Sequence, residues 1–311
     1  MEYNYRKFEE REALYQYRAI LEEIITKGED NLSPMIDPAT GKQLSTREIH
    51  GIQMKYDILE NGAPIITERD ISGFAPSAIA EIFAFMNGAR TDEELRKYGC
   101  KFWGPWVTEK KCKKRGLETG DLGEGSYGDV WADYPTSDGE SFNQWKEIDL
   151  QMRERPELKT HRITNWIPNY TIRNSNPNHK QRVVVCPCHG EIHFNIINGR
   201  LDMTMWQRSC DVVLGLPSNL TQYTAMFLAM AETHNLKPGV FCHQISNAHI
   251  YSNSLEHAKI MLERGYANDL AAFPDLVVTG HHDRVWEYRK EDFAIENYHP
   301  KEKILKIPVG V

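Results

Sequence analysis

The 311-residue sequence lacks the features that define several protein classes. It has no uncharged apolar run near the roughly 18 residues that a membrane-spanning helix needs, and its first residues carry no apolar secretion signal. Its six cysteines are too scattered for a disulfide framework. A formal charge of −7 argues against broad nucleic-acid binding. We therefore expect a cytoplasmic protein with reduced thiols and no membrane or nucleic-acid partner.

Internal repeats and long low-complexity segments are also missing. The length of the chain and its 41% of hydrophobic residues suffice for one large core, so a single domain over residues 1–311 is expected. Helical and strand-like segments alternate without regular βαβ spacing. This pattern predicts an α+β fold in which a mixed β-sheet packs against helices.

Periodicity and turn-forming residues predict where the elements lie. Helices are predicted near the start, at residues 14–25, and over 75–89, 141–157, 220–235 and 254–265. Strands are predicted over 52–59, 65–68, 161–167, 182–196, 201–210, 243–251 and 275–280. Loops are predicted over 28–50 and 100–134, where polar and turn-forming residues are frequent.

Residues 186–199, CPCHGEIHFNIING, combine two cysteines, a histidine and a strand-like segment. Zinc binding would need a second pair of ligands at close range, so we expect no metal site. A C-x-x-C redox centre is excluded because only one residue separates the two cysteines. Cys186 follows an apolar run and is expected to be a buried, inert thiol. Pro187 interrupts the strand and favours exposure of Cys188, which is therefore a candidate nucleophile.

A nucleophilic thiolate needs a positive charge nearby, and Arg208 is the candidate. Asn198 and Gly199 are typical of a two-residue hairpin turn between residues 191–198 and 201–209. Such a hairpin would return Arg208 to the neighbourhood of Cys188.

Several segments resemble the thymidylate synthase family, which also contains pyrimidine nucleotide hydroxymethylases. The most specific are PCH, QRSCDVVLGLPSNLTQYTAMFLAMA and HIYSN. Others are GIQMKYDILENGAPIIT, AEIFAFMNG, FWGPW, GDLGEGSYGDVW and the C-terminal VWEYRKEDFAIENYHPKEKILKIPVGV. The resemblance implies the thymidylate synthase fold, a homodimer in which the partner completes each site, and folate-dependent one-carbon transfer to C5 of a pyrimidine nucleotide.

The resemblance also implies catalytic roles. C5 of uracil is a poor nucleophile, and addition of a thiolate to C6 makes it electron-rich. Cys188 would supply that thiolate, Glu81 would relay protons, and Arg208 would bind phosphate and stabilise the thiolate. Tyr127 and His189 would line the cavity of the pyrimidine and the folate.

Further roles implied by the resemblance concern binding. Ser209 would contact phosphate, and His249 and Tyr251 would hold the sugar hydroxyl. Asn219 would read the base, because an amide can donate to O4 and accept from N3–H of uracil. Residues implied for the folate are Asp211, which would grip the pterin, and Trp103, Trp106 and Gly215.

Two phosphate-binding segments depart from the family pattern. An early arginine loop is replaced by DPATGKQL, which leaves Lys42 as the substitute, and paired arginines given by the second subunit are replaced by Lys159 and Thr160. Lysine is a point charge without the bidentate fork of arginine, so phosphate must be held differently.

The function predicted from these residues is methylation of dUMP to dTMP with 5,10-methylenetetrahydrofolate, through a covalent bond from Cys188 to C6. The family-like ending IPVGV favours it, because in the synthases the last residues close over the folate. The alternative is hydroxymethylation of dUMP, dCMP or CMP with release of tetrahydrofolate. A non-catalytic binding module and a thiol hydrolase using Cys188 and His189 are weaker alternatives.

Overall fold

The computed structural model describes residues 4–173, 176, 178–267, 269–304 and 307–310. Within these ranges it is a mixed structure of ten helices and a six-stranded sheet, with two small two-stranded sheets. The predicted α+β fold with a mixed sheet is confirmed. The helices are α1 Gln16–Lys27, α2 Ile58–Asn61, α3 Ala75–Met86, α4 Asp92–Tyr98, α5 Glu109–Lys113, α6 Tyr127–Ala132, α7 Gln144–Glu154, α8 Pro168–Thr171, α9 Gly215–Thr233 and α10 Leu255–Tyr266.

The main sheet has the order β1-β2-β8-β7-β6-β5. All its neighbouring pairs are antiparallel except β7 with β8, which run parallel and are connected through α9. The strands are β1 Glu29–Ile36, β2 Gln43–Asp57, β3 Tyr134–Pro135, β4 Ser141–Phe142, β5 Arg162–Ile163, β6 Glu191–Ile197, β7 Arg200–Asp211, β8 Lys237–Tyr251, β9 Asp275–Val278 and β10 Phe293–Glu296.

Local sequence explains the elements that position the site. The β6–β7 hairpin turns at Asn198 and Gly199, whose φ angles are 50° and 75°. Positive φ at both positions belongs to the tight turn that matches strand twist, so the predicted hairpin is confirmed. Helix α9 is apolar on nearly every face and is buried from Leu216 to Ala231 with few interruptions, and α3 packs against it.

Five predictions of secondary structure are wrong in whole or in part. Residues 28–50 form β1 and the first part of β2, because the backbone pairing of β1 with β2 and of β2 with β8 outweighs their polar composition. Residues 65–68 and 182–190 form no regular strand. Residues 100–134 contain the short helices α5 and α6 within otherwise irregular chain. The predicted strand over 161–167 is reduced to β5.

Candidate active site

The backbone of Cys188 is fixed on both sides. Its N–H donates to the hydroxyl of Tyr127 at 2.7 Å. Its carbonyl accepts from the N–H of Arg208 at 2.8 Å. The preceding Pro187 has no N–H to pair in a sheet, and the residue lies in irregular chain just before β6. Cys188 is half-buried, as the prediction of an accessible thiol requires.

Gly190 allows this chain segment to pass close to its neighbours. Its φ is 107°, and a Cβ here would lie 2.4 Å from Asn165 Nδ2 and 2.9 Å from the ring of Trp131. The amide of Asn165 donates to the carbonyl of His189. Any larger residue at position 190 would displace the histidine and the cysteine that precede it.

Arg208 reaches the thiol along the predicted hairpin. Its Nη2 lies 3.4 Å from Cys188 Sγ and donates to the carbonyl of Cys186 at 2.8 Å, while Nε donates to the carbonyl of Pro187 at 2.7 Å. The guanidinium also lies over the ring of Trp166, 5.7 Å from its centroid. A cation held this rigidly beside sulfur stabilises negative charge on it.

Cys186 differs from its prediction in part. It is half-buried and lies outside any strand, so it is not a thiol of a core strand. Burial does raise the pKa of its thiol, which agrees with an inert side chain.

His189 is held in a stack of aromatic rings. It lies 4.6 Å from the ring of Tyr127, and its Nδ1 hydrogen-bonds the hydroxyl of Tyr223 at 2.7 Å. Burial, reinforced by the charge of Arg208, lowers the pKa of His189 to about 3. The imidazole is therefore neutral at pH 7 and serves as a polar wall of the cavity rather than as a base for the adjacent thiol.

Glu81 is a buried carboxyl at the middle of α3. Its side chain accepts a hydrogen bond from Trp103 Nε1 at 2.6 Å and a weak one from Cys100 Sγ at 3.8 Å. Burial raises the pKa of Glu81 to about 7. A carboxyl with this pKa can both give and take a proton at neutral pH.

Asp211 is the last residue of β7, and Asn219 lies in the first turns of α9. The Asp211 carboxylate accepts from the N–H groups of Val213 and Leu214 at 3.0 and 3.1 Å, and burial raises its pKa. Gly215 lies between them: a Cβ here would be 3.7 Å from Asp211 Cβ and 3.8 Å from Asn219 Oδ1. Asn219 is only 5% exposed.

His249 and Tyr251 lie on one face of β8, with ring centroids 4.9 Å apart. His249 Nδ1 hydrogen-bonds Asn247 Oδ1 at 2.8 Å. Burial lowers the pKa of His249. Register places Asp211 opposite His249 and Ser209 opposite Asn247 on the parallel strand β7, so the two strands bring these predicted ligand contacts together.

Three predicted residues lie further out. Lys42 is exposed at the β1–β2 turn, and Lys159 is an exposed residue that donates to Asn195 Oδ1 at 3.3 Å. Trp106 is half-buried beside the Lys111 ammonium, which lies 4.8 Å from its ring centroid.

A cavity of about 290 Å³ opens onto the thiol. Cys188, His189 and Arg208 form one part of its wall, and Trp166 and Trp206 form another. The cavity lies beside the sulfur, and Asn219, Glu81 and Asp211 are not among the residues that line it.

Four residues of this site were missed by sequence reasoning: Trp166, Gln207, Tyr223 and His243. Gln207 Nε2 donates to Asn219 Oδ1 at 3.0 Å, and Gln207 Oε1 lies 2.8 Å from His243 Nε2. A signal did exist, because Gln207 and His243 interrupt inward-facing apolar rows of β7 and β8, and a polar residue in such a row needs a partner.

A family model described as thymidylate synthase matches residues 15–311, nearly the whole chain. The chain belongs to the thymidylate synthase family. Family membership supports a transferase that moves a one-carbon unit from a folate to C5 of a uracil nucleotide, in nucleotide biosynthesis. Among the described residues, no helix has the length and apolar character needed to cross a bilayer.

Proposed function

We propose that this thymidylate synthase family member methylates dUMP to dTMP, using 5,10-methylenetetrahydrofolate and a covalent bond between Cys188 and C6 of uracil. The observation that carries the proposal is the 3.4 Å contact between Arg208 Nη2 and Cys188 Sγ, two residues that both line a cavity. The Arg208 cation stabilises the thiolate, and the fixed backbone of Cys188 orients its sulfur.

In the covalent step, the sulfur adds to C6 and a C–S bond forms. The electron pair of the C5–C6 double bond moves toward C5 and O4, which makes C5 the nucleophile. Glu81, with its pKa of about 7, supplies a proton or a hydrogen bond where negative charge develops on O4.

The nucleotide would be held by groups on β7, β8 and α9. Asn219 reads O4 and N3–H of uracil, and His249 with Tyr251 holds the sugar hydroxyl. Arg208 and Ser209 bind the phosphate, with Lys42 and Lys159 as additional cations.

The residues near the start of α9 suit a folate. Burial raises the pKa of Asp211, and its carboxylate can accept hydrogen bonds from the ring N–H groups of a pterin. Gly215 lies beside Asp211. Trp103 and Trp106 would provide aromatic contacts to the folate. The folate supplies the one-carbon unit and, for methylation, the hydride.

The family-like ending IPVGV favours methylation over hydroxymethylation. Gly310 packs against the β1–β2 hairpin, since a Cβ there would lie 2.9 Å from the side chain of Leu44 and 3.4 Å from that of Met35. Val311, the last residue of the predicted closing segment, lies outside the described residues. A C-terminal segment held at the site would exclude water, and water is the reactant that gives the hydroxymethyl product.

The protein is further proposed to act as a cytoplasmic homodimer. Trp206 on β7 is 43% exposed and lines the cavity of Cys188. A partner docked on that face would bury the indole and wall off the cavity, and an exposed residue such as Lys159 could then serve the other subunit's site.

Mass analysis of the product tests the proposal. The protein is incubated with dUMP and 5,10-methylenetetrahydrofolate, and the nucleotide is analysed for a gain of methyl or of hydroxymethyl. We expect dTMP and dihydrofolate. Hydroxymethyl-dUMP with tetrahydrofolate would support the hydroxymethylase alternative. An unchanged dUMP would refute the methylation, and an unchanged nucleotide in parallel assays with dCMP and CMP would refute the alternative as well.

A further inference from the structure

An asparagine side chain cannot by itself choose between uracil and cytosine. Its amide has a donor and an acceptor of nearly the same shape, and a rotation of 180° exchanges them. With Nδ2 toward the exocyclic group of the base, Asn219 matches O4 and N3–H of uracil. With Oδ1 there, it matches the amino group and N3 of cytosine.

The structure holds Asn219 in one of these orientations. Gln207 Nε2 donates to Asn219 Oδ1 at 3.0 Å and to the backbone carbonyl of Ser209, also at 3.0 Å. Asn219 Nδ2 has no hydrogen-bond partner among the described residues. A reversed Asn219 would bring its own donor against the Gln207 donor, which disfavours that orientation roughly 10- to 100-fold.

The orientation of Gln207 is fixed in turn. The Ser209 carbonyl can only accept, so the amide nitrogen of Gln207 must face it and Oε1 must face the other way, toward His243 Nε2 at 2.8 Å. His243 must therefore carry its ring proton on Nε2. Burial lowers the pKa of His243 to about 3, so the ring is neutral, and among the described residues its buried Nδ1 has no partner.

Strand register explains why these groups meet. His243 lies opposite Met205 on the parallel pair of β7 and β8, and Gln207 is the next inward residue after Met205. Gln207 is 2% exposed and His243 is fully buried. Two polar side chains in this apolar row carry a desolvation cost, which their mutual hydrogen bond and the bonds of Gln207 to Asn219 and to the Ser209 carbonyl offset.

We propose that His243 and Gln207 are positioning residues that lock the amide of Asn219 in the orientation that reads uracil. The proposal rests on the proposed function, since it concerns the base of that same substrate. Base selection then belongs to the chain from His243 through Gln207 to Asn219 rather than to the asparagine alone.

The test is the ratio of the dissociation constants of dCMP and dUMP, measured by calorimetry at pH 7.5. His243→Phe removes the donor to Gln207, and Gln207→Met removes the donor to Asn219. Each variant is expected to lower the ratio about tenfold, the worth of one hydrogen bond.

Three further variants separate positioning from packing. His243→Gln places an amide nitrogen near the position of Nε2 and should restore most of the wild-type ratio, whereas His243→Asn places its amide near Nδ1 and should behave like His243→Phe. Met205→Leu, the apolar neighbour in the same row, should leave the ratio unchanged.

The possible outcomes are distinct. A ratio that stays at the wild-type value in folded His243→Phe and Gln207→Met, even if both affinities fall, overturns the inference and leaves a structural role only. If His243→Phe does not fold, the ratio of dissociation constants measured for Gln207→Met tests the inference alone. A wild-type protein with neither dUMP turnover nor uracil preference overturns the proposed function instead.

Discussion

At the scale of single residues, two cysteines one residue apart have different surroundings. Cys188 Sγ has the Arg208 guanidinium beside it at 3.4 Å, whereas burial raises the pKa of the Cys186 thiol. The sequence alone identified the pair and the arginine. It could not show that the Tyr127 hydroxyl holds the backbone of Cys188, because 61 residues separate these two groups.

Cys188→Ala should lower turnover by roughly a thousandfold or more, because it deletes the proposed covalent nucleophile. Nucleotide binding should persist, since the phosphate and base contacts stay. Turnover and dUMP affinity are measured side by side with Cys186→Ala, which should remain active. Turnover of Cys188→Ala near that of the wild type would remove the nucleophile assignment.

Asn219→Asp should shift the preference toward cytosine nucleotides. The carboxylate still accepts from Gln207 Nε2 but offers only acceptors to the base, which suits the amino group of cytosine. We expect the ratio of kcat/KM for dUMP over dCMP to fall at least about tenfold, the worth of one hydrogen bond. An unchanged ratio in a folded variant would contradict base reading by this residue.

Glu81 should make stability depend on pH. Its pKa is about 7 in the fold against an ordinary value of 4.5. Between these values the folded state binds more protons than the unfolded chain, so the free energy of unfolding should fall as pH rises, by about 3 kcal/mol from this group. Urea titrations at several pH values should show that slope removed in Glu81→Gln and kept in Glu93→Gln, an exposed control. Equal slopes in all three proteins would contradict a buried, protonated Glu81.

At the scale of elements, the β6–β7 hairpin sets the distance between Arg208 and Cys188, and its turn can be tested. Gly199 has a φ of 75° and open space around a Cβ, so Gly199→Ala should cost about 1–2 kcal/mol from backbone strain alone. Gly73 also has open space but no positive φ, so Gly73→Ala is the matched control. The free energies of unfolding of Gly199→Ala and Gly73→Ala are measured and compared with that of the wild type. Equal values for both variants would contradict the strain argument.

Elements with strong local periodicity were predictable, and those that depend on distant pairing were not. The apolar pattern of α9 and the Asn-Gly turn appear in the sequence itself. The strands β1 and β2 are polar and rich in turn formers, and β2 forms because it pairs with β8 far along the chain. Residues 182–190 have strand-like composition, yet Pro187 and Gly190 end any ladder before β6.

At the scale of the whole molecule, the outward face of the sheet predicts the oligomeric state. Trp206→Lys should weaken a homodimer that buries this indole, because a lysine charge there would lose its hydration. Sedimentation at several protein concentrations measures the strength of the dimer. Leu150→Lys is the control, since Leu150 is an apolar residue of α7 that is 49% exposed. A wild-type monomer, or an unchanged dimer in Trp206→Lys, would contradict the proposed interface.

The candidate site was predictable as a set of residues but not as a network. The family resemblance named Cys188, Glu81, Arg208, Asp211 and Asn219, which come from α3, β7, α9 and the irregular chain before β6. The bonds between Asn219, Gln207 and His243 depend on the register of β7 against β8, which no local pattern specifies. In the proposed homodimer, Lys159 would reach a phosphate only across the subunit interface, which one sequence does not describe.

The pairing of β2 with β8 has a consequence during synthesis on the ribosome. At roughly 5–20 residues per second, a ribosome needs roughly 10–40 seconds to extend the chain from β2 to its partner strand. During that interval the nascent β2 presents an unpaired edge next to neighbouring chains. The charged side chains of β2, such as Arg47 and Glu48, would then protect the emerging polypeptide from association until β8 arrives.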